Sequence, residues 1–123
     1  MKRAALFALA MTAAVAGPAA AAPWTLFAEP APAAPGDIAH GKAVFDSRCE
    51  ICHGRGNDRA GTISLQFKYQ GAKPALLEER SDLTPDLVRF YVRHGVAMMP
   101  FFRKTELSDA ELGDLAAYLA RKR

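Results

Sequence analysis

The chain has 123 residues, half of them hydrophobic, and its 16 Lys and Arg against 13 Asp and Glu give a formal charge of +3. Two of the cations, Lys2 and Arg3, lie in a leader that we expect to be removed, which leaves 14 cations against 13 acids. A charge this close to zero argues against nucleic acid as a partner.

Residues 1–21 are predicted to be a signal peptide. A charged start is followed by an apolar run from Ala4 to about Val15 and then by small residues, with cleavage expected near Ala21. The run is shorter than the roughly 20 residues that span a bilayer, so an uncleaved anchor is the less favoured alternative. We therefore expect an exported protein of the bacterial periplasm.

Residues 22–36 are rich in Pro and Ala and are predicted to form an extended linker. Its apolar cluster of Trp24, Leu26 and Phe27 either docks on the domain or a partner, or belongs to a loosely ordered terminus. The compact domain is then residues 37–123, which is small for a self-sufficient hydrophobic core.

The first predicted helix runs from Ile38 to about Arg48, with Asp37 as its N-cap. Helical spacing places four residues on one inward face. These are Ile38, Gly41, Val44 and Phe45.

The helix leads into Cys49-Glu50-Ile51-Cys52-His53, which reads C-x-x-C-H, the attachment motif of a c-type haem. On a helical turn, Cys49, Cys52 and His53 share one face because they are spaced i, i+3 and i+4. Two thiols can form thioethers with the haem vinyl groups, and an imidazole can bind the iron. The motif therefore predicts one covalent haem c, which would also add apolar volume to a small core.

The two cysteines have three other possible interpretations. A redox pair of the thioredoxin type needs a βαβ context, and the chain shows almost no strand pattern. A zinc site would need His53 together with His40 or His94. A short disulfide is the third alternative, since exported thiols are usually bridged or capped.

After a turn-rich loop at residues 54–58, the apolar residues of Thr62–Tyr69 alternate with polar ones at strand period. No second run of this kind offers a partner strand. We therefore expect an extended loop whose apolar side lies on the haem edge. Pro74 is predicted to open a short helix that ends near Glu79.

Thr84 and Pro85 begin a further helix that is predicted to run to about His94, where Gly95 ends it. Its expected inward residues are Leu87, Val88, Phe90 and Tyr91.

The last helix begins at a capping box formed by Ser108 and Glu111, with Leu107 and Leu112 placed as a hydrophobic staple. Its expected inward residues are Leu112, Leu115, Ala116 and Leu119. The predicted fold class is all-α.

An iron bound by His53 needs a ligand on its opposite face, and the segment from Met98 to Phe102 lies between two helices. A methionine thioether is a suitable ligand and raises the reduction potential. Met98 and His94 are alternatives to Met99, and the two methionines could also simply fill core.

The chain resembles the class I monohaem c-type cytochromes. Their haem motif matches Cys49–His53, and their axial Met-Pro pair matches Met99-Pro100, downstream in the expected order. Weaker matches are Gly41 and Phe45 in the first helix and Leu115–Tyr118 in the last, where the small Gly41 would let Tyr118 approach closely.

The resemblance implies a cytochrome c-like small helical domain wrapped around one haem, with His53 and Met99 as axial ligands of a low-spin iron. One departure is that Gly61 is followed by Thr62, where the family often has proline. That proline follows the carbonyl that orients the ligand histidine, so the sequence leaves the hydrogen-bond partner of His53 open.

The predicted function is electron transfer rather than catalysis, from a dehydrogenase to a downstream cytochrome or oxidase. Residues 83–105 are also similar to small cytochromes paired with flavin-dependent dehydrogenases. The alternatives are a haem-based ligand binder or sensor with a labile Met99, and a haem-free thiol–disulfide oxidoreductase. Arg103 and Lys104 are expected near the haem edge, either facing an acidic partner or merely solvated.

Overall fold

The computed structural model describes residues 36–122. The predicted signal peptide and all of the predicted linker except Gly36 lie outside this range. The described chain forms five α-helices and no strand. They are α1 (Ile38–Arg48), α2 (Glu50–His53), α3 (Ala60–Tyr69), α4 (Pro85–His94) and α5 (Asp109–Leu119), with a 3₁₀ turn at Leu77–Glu79. Within residues 36–122, none of the helices has the length and hydrophobicity of a membrane span.

The hydrophobic core lies where α5 packs against α1 and α4. All four inward residues predicted for α5 are buried, together with Tyr118. The capping box is present, since the Ser108 side chain accepts the Glu111 N–H and the Glu111 side chain accepts the Ser108 N–H. The buried core residues are Val44, Phe45, Val88, Val92, Leu107, Leu112, Leu115, Ala116, Tyr118 and Leu119.

Helix α1 begins as predicted, because the Asp37 carboxylate accepts the N–H groups of Ala39 at 2.8 Å and His40 at 3.1 Å. Three of its four predicted inward residues, beginning with Gly41, are buried. Ile38 is the exception, because it lies in the first turn and is half exposed.

Helix α1 comes very close to α5 at Gly41. A Cβ atom at Gly41 would lie 2.1 Å from the Asp114 carbonyl oxygen and 2.9 Å from the Cβ atom of Tyr118. The predicted contact between Gly41 and Tyr118 is therefore confirmed. The tighter constraint, however, comes from the backbone of Asp114, which cannot move aside as a side chain can.

The expectation of an extended loop at residues 62–69 is wrong, because Ala60–Tyr69 is the helix α3. A segment without a partner strand can still pair its backbone groups with one another by forming a helix. The only fully buried residue of α3 is Thr62. Phe67, one of the apolar residues that gave the strand period, is 76% exposed.

The predicted inward face of α4 is only partly correct, because the helix is rotated about its axis relative to the prediction. Val88 and Val92, at i and i+4, are buried, whereas Phe90 and Tyr91 are exposed. The helix bounds are as predicted, with the Thr84 hydroxyl accepting the Leu87 N–H at 3.2 Å.

Three consecutive residues of the segment after Pro74 are tied to different elements. Instead of a helix from Pro74, only Leu77–Glu79 is helical, as a 3₁₀ turn. Glu78 accepts the Tyr118 hydroxyl of α5, and Glu79 pairs with Arg55 at 2.6 Å. The buried Arg80 binds the Asp82 carboxylate at 2.8 Å and the Tyr69 hydroxyl of α3 at 3.2 Å.

The crossing predicts opposite outcomes for two helical glycines. Gly41→Val should lower the free energy of unfolding by about 1–3 kcal/mol, because its side chain meets backbone. Gly113→Ala should raise it by up to about 1 kcal/mol, because a Cβ there meets nothing within 4 Å. Denaturant melts of the haem-loaded protein measure both.

Tyr118→Ala should not relieve the Gly41→Val strain, since alanine keeps the Cβ atom that Gly41 meets. The coupling energy in a double-mutant cycle should therefore be small beside the loss from Gly41→Val, whose main clash is with the Asp114 backbone. Stabilisation by Gly41→Ala equal to that by Gly113→Ala would contradict the close crossing.

A second prediction concerns pH at the same crossing. His40 Nδ1 lies 2.7 Å from Asp114, whose other oxygen accepts the Asp37 N–H at 2.8 Å. The hydrogen bond to Asp114 raises the pKa of His40 above 6.5, with smaller contributions from Asp37 and Glu111. Hydrogen bonds, first from His40, lower the pKa of Asp114 below 3.8.

The stabilisation by this pair is therefore complete below pH 6.5 and is lost as pH rises through the higher pKa of folded His40. It is also lost in acid, as pH falls from 3.8 through the lowered pKa of Asp114. Melts at about pH 5.5 and about pH 8.5 should show wild type losing stability relative to His40→Gln. A constant difference between the two proteins would refute the pairing.

Candidate haem site

The C-x-x-C-H motif forms the helical turn that its spacing predicts. Cys49 joins α1 to α2, and its carbonyl accepts the N–H groups of Cys52 at 3.1 Å and His53 at 2.8 Å. The two cysteines are not bridged; Cys52 is exposed and Cys49 is half-buried against the core. The turn therefore presents two free thiols next to an imidazole.

The imidazole of His53 is held in a confined position. Burial lowers its pKa below 6.5, so the ring is neutral near pH 7, the form that binds metals. A Cβ atom at Gly61 would lie 2.7 Å from Cε1 and 2.9 Å from Nδ1 of the ring. The first turn of α3 therefore lies directly against His53, and only glycine leaves room for it there.

Within residues 36–122, Nδ1 of His53 is buried without a hydrogen-bond partner. The carbonyl partner that the family resemblance implies is thus not formed by the described residues. The residue at the family's proline position does something else, because the buried Thr62 hydroxyl donates to the Gly54 carbonyl at 2.9 Å. Sequence reasoning missed this contact; a polar residue on the inward face of α3 was its only signal.

Residues 95–102, which we call the methionine turn, place Met98 and Met99 in different surroundings. Val96 and Met99 exchange two backbone hydrogen bonds of 3.1 and 2.9 Å, with Ala97 at φ 51°. Met98 at the tip is 80% exposed. Met99 is partly buried and packs against the core.

Gly95 fixes where this turn begins. Its φ of 69° favours glycine, and a Cβ atom there would lie 2.6 Å from the Met99 carbonyl oxygen. The turn ends where the Phe102 N–H donates to the Val92 carbonyl at 2.8 Å. The backbone around Met99 therefore packs against the end of α4.

His94 is engaged with its own helix. Its Nδ1 donates to the Phe90 carbonyl at 2.8 Å, and its ring stacks on the Phe90 ring with 4.4 Å between the ring centroids. The His94 ring therefore lies against the last turn of its own helix.

Both residues of the basic pair after the methionine segment have acidic neighbours. Arg103 lies 3.7 Å from Glu106, and Lys104 lies 2.7 Å from Asp109. Both cations are exposed, but the charge of each is balanced by an acidic side chain of the same protein. Arg103 and Lys104 therefore offer less free positive charge to an acidic partner than the sequence suggested.

The alternatives to haem find little support in this geometry. Among residues 36–122, no three His, Cys, Asp or Glu side chains come together as a metal site. Burial, with a smaller effect of Cys52, raises the pKa of Cys49 to about 11. A redox-active thiol instead has a lowered pKa.

The donor set fits haem c. It comprises two free thiols on one turn, a neutral confined imidazole, and a thioether turned toward the core. Imidazole nitrogen and thioether sulfur are the axial ligands of electron-transferring c-type haems.

Comparison with known proteins relates the chain to cytochromes. The family described as cytochrome c oxidase, cbb3-type, subunit III matches residues 36–119. Similar proteins include cytochrome c6 of Picosynechococcus sp., 34% identical over 97 residues, which cover 78% of this chain and 82% of the relative. Cytochrome c6 of Thermostichus vulcanus is 34% identical over 95 residues, covering 76% and 79%.

A third relative, cytochrome c6 of Synechococcus elongatus, is 33% identical over 83 residues, which cover 68% of this chain and 87% of the relative. The family match covers all five helices of the described domain. The chain therefore belongs to this cytochrome family, as a small monohaem class I c-type cytochrome that holds haem c covalently and carries electrons rather than acting as an enzyme.

Proposed function

We propose that the chain carries single electrons in the bacterial periplasm, from a dehydrogenase to a downstream cytochrome or oxidase. In this proposal Cys49 and Cys52 attach the haem, and His53 and Met99 are its axial ligands. The observation that supports it is the packing of two side chains that could bind iron. The His53 ring is confined and neutral, and Met99, unlike Met98, faces the core.

The chain's residues would keep the redox centre rigid. When bound, haem supplies one-electron exchange at its iron. Thioethers from Cys49 and Cys52 would fix its position, and Gly61 would hold the His53 ring against rotation. If His53 and Met99 both hold the iron, no position on it would be open to a substrate.

The proposed partners are redox proteins. Relatives named cytochrome c6 support an electron-carrying role in general terms. The dehydrogenase donor rests on the similarity of residues 83–105 to cytochromes that work with flavin-dependent dehydrogenases. The periplasmic location rests on the predicted signal peptide at residues 1–21.

The test of haem attachment is the double variant Cys49→Ser, Cys52→Ser. We expect no haem to remain with the polypeptide after denaturation, and we expect the apo protein to be largely unfolded because the haem completes a small core. A denaturing gel stained for haem measures the first outcome, and circular dichroism measures the second. Haem that co-migrates with the double variant would contradict the proposal.

The test of the axial ligand compares the two adjacent methionines. Met99→Ala should remove the sulfur–iron charge-transfer band in the red and lower the reduction potential, whereas Met98→Ala should leave both nearly intact. Spectroscopy and redox titration measure these effects. The reverse pattern would make Met98 the ligand, and strong carbon monoxide binding by reduced wild type would favour the ligand-binding alternative.

A further inference from the structure

Arg93, in the last turn of α4, contacts two other elements. Its Nη1 donates to the Phe102 carbonyl at 2.9 Å, and its Nη2 donates to the Asp109 carboxylate at 2.8 Å. Phe102 ends the methionine turn, and Asp109 is the first residue of α5. One planar guanidinium thus joins α4, the methionine turn and α5, and its side chain is only 19% exposed.

The neighbouring arginine on the same helix shows a different arrangement. Arg89, one turn earlier, pairs with Asp86 of α4 itself at 3.2 Å. That contact is local to the first turns of the helix. The bridge to Phe102 is therefore particular to Arg93 and not a general property of arginines on α4.

The bridge is reinforced on both sides. The Phe102 N–H donates to the Val92 carbonyl while its own carbonyl accepts from Arg93, so both backbone groups of Phe102 are held by α4. Asp109 also binds Lys104 at 2.7 Å through its other oxygen. The carboxylate is therefore shared by two cations and stays ionised near neutral pH.

We propose that Arg93 is a positioning residue for Met99, because it fixes the Phe102 end of the turn that carries the methionine. The inference rests on the proposed role of Met99 as axial ligand. Gly95 and the pair of hydrogen bonds between Val96 and Met99 define the start of the turn. Arg93 fixes its end, so that Met99 is held between two anchored points.

The experiment uses the oxidised, haem-loaded protein and cyanide, an external ligand that must displace the axial methionine. Arg93→Met should bind cyanide about tenfold more tightly, equivalent to about 1.4 kcal/mol. The variant should also show a weakened red charge-transfer band and a lower reduction potential. Arg93→Lys, which keeps the charge but not the two-armed fork, should fall between wild type and Arg93→Met.

Arg89→Met is the matched control, because it removes the same side chain from the same helix without touching the turn. Its cyanide affinity should equal that of wild type. A cyanide affinity of Arg93→Met within twofold of wild type would overturn the proposal, even if that variant is less stable in denaturant. If Arg93→Met does not fold, the Arg93→Lys measurement decides by the same criterion.

Failure of the proposed function has a separate signature. Wild type without the red band, or with Met99→Ala unchanged from wild type, would remove Met99 as ligand and overturn both proposals. An intact band and Met99 dependence in wild type, with no effect of Arg93→Met, would overturn only the role of Arg93.

Discussion

The structure depends on the contact between the α1 backbone at Gly41 and the Asp114 carbonyl of α5. Helix α1 runs directly into Cys49, so this crossing sets the position of the haem-attachment turn. Helix α5 also packs on α4, whose end holds the methionine turn. The two proposed axial donors therefore come from elements that share α5 as a common support, although they lie 46 positions apart.

The sequence predicted those features whose signals are local. The cap at Asp37, the capping box at Ser108 and the glycine stop at Gly95 each depend on side chains within a few residues of the element they end. The motif turn was predicted for the same reason. Its function follows from residue types and spacing alone, with no knowledge of the rest of the fold.

What the sequence did not reveal depends on distant contacts. Helix α3 was missed because its one fully buried residue, Thr62, is polar and is held by the carbonyl of Gly54. The hydrogen bond from Arg93 to Asp109 spans 16 positions. It could not be predicted, because a single arginine near a helix end is usually taken to be solvated. The sequence favoured Met99 over Met98 through the resemblance of Met99-Pro100 to the family's Met-Pro pair, and the structure adds that Met99 packs on the core whereas Met98 is exposed.

The turn at Leu77–Glu79 has a consequence for how the domain opens. Glu78, Glu79 and Arg80 bind residues of α5, the loop after the haem motif and α3, respectively. Local unfolding of this segment would break all three contacts at once, so it would also loosen α5, α3 and the loop after the haem motif. Its amide protons should therefore exchange with solvent in one cooperative unit with these elements, and not as a separate flexible loop.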